Sequence, residues 1–78
     1  EDAEAAYRHA IAQSDSSFAW DGLGLVLQRR QLRIEAREAF ERALQINPEN
    51  ATAWLHLGLA FEYLGNPKRA IDAYGKAR

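Results

Sequence analysis

Moving 34 residues along the chain lands repeatedly on the same kind of side chain. Trp20, Leu23, Gly24, Ala36, Ala39 and Ala43 return as Trp54, Leu57, Gly58, Ala70, Ala73 and Ala77, while Leu27 becomes Phe61 and Phe40 becomes Tyr74. A further step of 33 back from Ala36, Phe40 and Ala43 reaches Ala3, Tyr7 and Ala10. A period of this length belongs to a chain built from one supersecondary unit used several times, because a single unit of that size cannot bury its apolar side alone. The fold is therefore a stack.

Within the unit the spacing is helical. Trp54, Leu57, Gly58, Phe61 and Leu64 recur at threes and fours, so they share one side of a helix that must be covered. Gly65-Asn66-Pro67 then stops one helix and starts another: glycine takes the left-handed conformation that ends a helix, Asn caps the next, and Pro suits its first turn. Ala70, Tyr74 and Ala77 give the second helix its packed side, with small residues where the backbones meet, and the pair forms an antiparallel hairpin. Upstream, residues 1 to about 13 read as one helix carrying a Glu4–Arg8 surface pair, and Ser16 or Ser17 caps the helix that runs to about Arg30. Residues 33 to 46 form the next helix, Asn47-Pro48 closes it, and Asn50 caps its successor. The break between Gln28 and Glu35 holds no Gly, Pro or good cap. Local propensity would run one helix straight through, so packing must impose a tight turn near Gln31 with one residue in an unfavoured backbone conformation.

Trp, Leu-Gly, an aromatic or Leu, Ala, an aromatic, Ala and then Pro at this period resemble the tetratricopeptide repeat. Residues 17–50 supply Trp20, Leu23, Gly24, Leu27, Ala36, Phe40, Ala43 and Pro48; residues 51–78 supply Trp54, Leu57, Gly58, Phe61, Ala70, Tyr74 and Ala77. The resemblance implies an all-α chain of five helices, antiparallel hairpins stacked as a right-handed α-solenoid. It further implies a single domain over 1–78: residues 1–13 as the second helix of a partial repeat, 17–50 as a full repeat, and 51–78 as a repeat without its C-terminal linker. Two departures stand out. The link between the first two units is one residue short, and Ser14-Asp15-Ser16 replaces what is later Asn47-Pro48-Glu49. With Glu1 falling inside a helical pattern, the chain reads as a piece of a longer protein.

Composition narrows the functions. A net charge of −1 supplies no field for nucleic acid or acidic membranes, and no apolar run approaches the roughly 20 residues that span a bilayer. The absence of Cys rules out disulfides and thiolate metal sites, and is compatible with either an oxidising or a reducing compartment; a soluble, cytoplasmic setting is the default. His9 and His56 fall in different units without other ligands nearby, so neither metal nor other cofactor is expected, nor is catalysis. Arg29, Arg30, Arg33 and Arg37 are interleaved with Glu35, Glu38 and Glu41, which reads as a solvated, ion-paired face, with RNA binding as a lesser alternative.

A second face remains. At about 100° per residue from Trp54, Thr52, Leu55, His56, Leu59 and Tyr63 cluster near 150°, away from the hairpin side, and Phe18, Asp21, Gly22, Leu25 and Arg29 are their counterparts. By resemblance, first helices line a concave groove that holds segments of other proteins. Phe18, Leu25, Leu55, Leu59 and Tyr63 then form an apolar strip with Asp21, Arg29, Thr52, His56 and Glu62 as polar neighbours, and Gly22 is a candidate for close approach of a ligand backbone. Chaperone-binding members hold a terminal carboxylate with Lys, Arg and Asn on these groove faces; here the corresponding places carry Phe18, Asp21, Gly22, Leu25, Thr52, Leu55, His56 and Leu59, and Asp21 would repel a carboxylate, so such tails are not expected. An apolar or amphipathic segment is, with a basic residue near Asp21 or Glu62. The rival reading is a structural spacer, or self-association through the exposed terminal helix bearing Ile71 and Tyr74. Asp21 and His56 are placed to face each other across adjacent first helices.

Overall fold

The computed structural model describes residues 2–78, and among them the chain forms five helices and no strand. These are α1 (Asp2–Gln13), α2 (Ser17–Arg29), α3 (Arg33–Ile46), α4 (Ala51–Tyr63) and α5 (Pro67–Lys76). α2 pairs with α3 and α4 with α5 as hairpins, α1 packs on α2, α3 packs on α4, and the two first helices α2 and α4 lie side by side. The Cα extents are 34 × 25 × 14 Å, and the short one is that of two helix layers.

The repeat positions build the core. Leu23, Leu27, Ala36, Phe40, Ala43, Ala53, Leu57, Ala60, Phe61, Ala70 and Ala73 are buried in one cluster, with Phe40 fully inaccessible. Trp20 and Trp54 lie half-buried against it, and each turns its indole N–H back to the loop before its own helix. Trp20 Nε1 donates to Asp15 Oδ1 (2.6 Å) and Trp54 Nε1 to the Pro48 carbonyl (2.8 Å). The Trp20 hydrogen bond, aided by Arg42, holds the Asp15 carboxyl below its usual range.

Of the two candidate caps for α2, Ser16 does the capping, accepting from Ala19 N, and Ser17 does something else. Buried Ser17 donates its Oγ–H to the Ala43 carbonyl (2.8 Å) and accepts from Asn50 Nδ2 (2.8 Å), while Asn50 Oδ1 accepts from Ala53 N. One satisfied polar chain thus ties the start of α2, the end of α3 and the cap of α4, so these buried groups carry no desolvation penalty without a partner.

The turn after α2 is where the sequence places it. Gln31 has φ +65°, and the bonds Leu32 N to Leu27 O and Gln31 N to Gln28 O close the helix end. Thirty-four residues later Gly65 has φ +77° and Asn66 N to Phe61 O with Gly65 N to Glu62 O repeat the same closure. The motif is shared, but only one copy is written with the residue that tolerates it. Gln31→Gly is expected to raise stability by about 0.5–1 kcal/mol, the relief of the left-handed strain exceeding the extra freedom of glycine in the unfolded chain. Gly65→Gln, which meets nothing within 4 Å, should lower it by a similar amount. Urea midpoints of the two variants should move in opposite directions.

Candidate partner-binding face

The face shared by α2 and α4 carries large apolar side chains that the fold leaves in solvent. Phe18 is 76% exposed, Leu55 45% and Tyr63 57%. Leu25 and Leu59 are half-buried, Leu25 against the core, and Thr52, Arg29 and Glu62 are exposed. Each sits on a helix whose opposite side is fixed by the hairpin partner.

Three of the residues expected here, Asp21, His56 and Gly22, are engaged inside the fold. Asp21 is buried, and His56 Nδ1 lies 2.8 Å from its Oδ1; a carboxylate only accepts, which places the imidazole proton on Nδ1. The other side of the His56 ring rests on Phe40 of α3, with ring centroids 5.6 Å apart and planes tilted by 39°. Asp21 and His56 do face each other, as the spacing implies, but they form an internal tie between the two units. Asp21 is therefore corrected from a charge presented to a ligand to a structural partner of His56.

Gly22 is corrected as well. A Cβ there would lie within 2.9 Å of Tyr7 Cδ1, with the ring's edge nearer still, because the Tyr7 ring of α1 is seated on this glycine. No ligand backbone approaches it while α1 is in place. Gly22 is the counterpart of His56, and Tyr7 covers it as Phe40 covers His56.

Glu62 accepts a hydrogen bond from Tyr74 OH on α5 (3.0 Å), and burial, reinforced by this carboxylate, pushes the Tyr74 phenol above its ordinary value. Gln28, one turn beyond Leu25 and the counterpart of Glu62, also belongs to this surface and was passed over in the sequence. It lines a pocket with Arg29, Gln31, Arg33 and Tyr63.

The arginine cluster is only half paired. Arg30 bonds Glu4 on α1, which also takes Arg8 (3.0 Å), and these two arginines, Arg8 foremost, lower the Glu4 pKa. Arg37 pairs with Glu41. Arg29 and Arg33 make no ion pair among the described residues; the Arg33 guanidinium lies 6.0 Å from the Tyr63 ring centroid instead. Among those residues no three His, Asp or Glu side chains stand together as a metal site, and no helix is long and apolar enough to cross a membrane.

A family model described as Tetratricopeptide repeat matches residues 22–78. The chain belongs to the tetratricopeptide repeat family. The anaphase-promoting complex subunit 3 of Schizosaccharomyces pombe is 32% identical over 78 residues, covering 99% of this chain and 12% of that protein. A Hordeum vulgare protein named as the probable UDP-N-acetylglucosamine--peptide N-acetylglucosaminyltransferase SPINDLY is 37% identical over 57 residues, covering 73% of this chain and 6% of its own length. The crystal structure of MamA superimposes with a TM-score of 0.87 at 32% identity, over 95% of this chain and 44% of that one. The chain thus spans only a small part of these two sequence relatives. Tetratricopeptide repeats mediate protein–protein interactions and are generally non-catalytic, and the transferase activity in the Hordeum vulgare protein's name belongs to that much longer protein.

Proposed function

We propose that residues 1–78 act as one interaction domain whose α2–α4 face binds an apolar or amphipathic segment of another protein. The observation that carries this reading is the exposure of Phe18, Leu55 and Tyr63 on helices whose other sides are packed. Exposed apolar side chains gathered on one face have no role in the fold that bears them, and such patches mark interaction surfaces. Each large side chain covered contributes roughly 1.5–3 kcal/mol before the costs of association.

The test is a titration of the 15N-labelled chain with a synthetic amphipathic peptide carrying Leu at i, i+3, i+4 and i+7. Amide shifts should concentrate in residues 18–29 and 52–63, and Leu55→Ala or Tyr63→Ala should weaken binding by about tenfold. Shifts confined to α3 and α5 would refute the reading. They would favour the rival one, in which Ile71, 69% exposed on α5, drives self-association. That version predicts concentration-dependent sedimentation that disappears on Ile71→Ser.

A further inference from the structure

At the end of the α2–α4 face where both helices finish, Gln28, Arg29, Gln31, Arg33 and Tyr63 surround a pocket of about 240 Å³. Its charges are of one sign and are unspent. Arg8, Arg30, Arg37 and Arg42 all have carboxylate partners, whereas Arg29 and Arg33 have none among the described residues. Of the two acids of the face, Asp21 is paired with His56 and Glu62 accepts from the Tyr74 hydroxyl, and neither lines this pocket.

Arg33 is also badly placed for helix stability. It is the first residue of α3, where the helix dipole already concentrates positive charge, and Leu32 before it offers no capping side chain. Two arginines line this one pocket, and a guanidinium, a planar fork of donors, matches a carboxylate in shape and in charge. The Tyr63 ring, against which Arg33 rests, links this pocket to the apolar strip.

We infer that this pocket is an acid-recognition subsite, and that the partner segment carries an Asp or Glu side chain that reaches Arg29 and Arg33 while its apolar face lies on Leu55, Leu59 and Tyr63. The inference rests on the binding face proposed above and reverses the charge that the sequence alone suggests for the partner. The occupant is a protein segment, because an apolar strip adjoins the two arginines and the chain as a whole is slightly acidic, with a net charge of −1.

Two amphipathic peptides with the same leucine pattern, one ending in Glu-Glu and the other in Gln-Gln, separate the possibilities when titrated into the 78-residue chain. The Glu peptide should bind about tenfold tighter at low salt, shift the Arg29 and Arg33 side-chain Nε–H signals, and lose most of that advantage at high salt. In the Arg29→Gln/Arg33→Gln chain the two peptides should bind equally, at the affinity of the Gln peptide for the unaltered chain. The substitutions lie on exposed side chains, and an unchanged or raised thermal midpoint would show that the fold is intact. Equal binding of both peptides to the unaltered chain, with shifts still on α2 and α4, overturns the subsite and leaves the face standing. Shifts from neither peptide overturn both. A single-stranded oligouridine that shifts Arg29 and Arg33 at lower concentration than the Glu peptide overturns the choice of a protein occupant.

Discussion

Phe40→Ala is expected to cost about 3–5 kcal/mol, the range for deleting a fully buried phenylalanine that neighbours cannot collapse to replace. A chain of this size has roughly 4–12 kcal/mol in total, so the variant should be largely unfolded or left with a small remainder. The reason lies in the position of this ring. Phe40 is inaccessible to solvent, its edge lies over Gly24 within its own hairpin, and its face meets His56 of the next. One side chain therefore fills the layer inside a unit and the layer between units. Tyr74, its counterpart, is half-buried and covers Gly58, so Tyr74→Ala should cost about 2 kcal/mol. Urea unfolding followed by tryptophan fluorescence reports both, since Trp20 and Trp54 pack on the same cluster. A Phe40→Ala chain within about 1 kcal/mol of the parent would mean that unit stacking is held by something other than this core.

The residues that could be read without coordinates are those whose environment is set inside one unit. The caps at Asn50 and Asn66 follow from neighbours a few positions away, and the strained turn at Gln31 from the packing of the two helices of one hairpin; both are found in the structure. What failed depends on the next unit. A helical wheel treats each helix alone, so it turns Asp21 and Gly22 outward; it is His56 of α4 and Tyr7 of α1 that cover them. Ion pairing was misjudged for the same reason. Interleaved glutamates in sequence do not say which carboxylates reach which arginines, and the partner of Arg30 is Glu4, 26 positions earlier. Gln28 did have a signal: subtracting 34 from Glu62, already placed on the binding face, gives its position.

The internal repeat also supplies its own control for a second large effect, in which one substitution has opposite signs at different glycines. Gly75→Ala is expected to stabilise the chain by about 1 kcal/mol, because the site is helical, a Cβ there meets nothing within 4 Å, and alanine is the better helix former. Gly24→Ala should instead destabilise by about 2 kcal/mol net of that same propensity gain. Its Cβ would lie 2.6 Å from Phe40 Cδ1 and nearer still to Cε1, and Phe40 is enclosed on all sides, so the ring cannot move without pushing α3 away from α2. Gly58→Ala makes nearly as short an approach, 2.6 Å to Tyr74 Cε1, but that ring is half-buried and held by one hydrogen bond to Glu62. The cost there should be about half as large, and the Tyr74–Glu62 bond should break as the ring swings out. Thermal midpoints in the order Gly75→Ala, parent, Gly58→Ala, Gly24→Ala are the expected result. If Gly24→Ala proves as stable as the parent, the two helices of the hairpin are not in the close contact on which the α2–α4 face depends for its orientation.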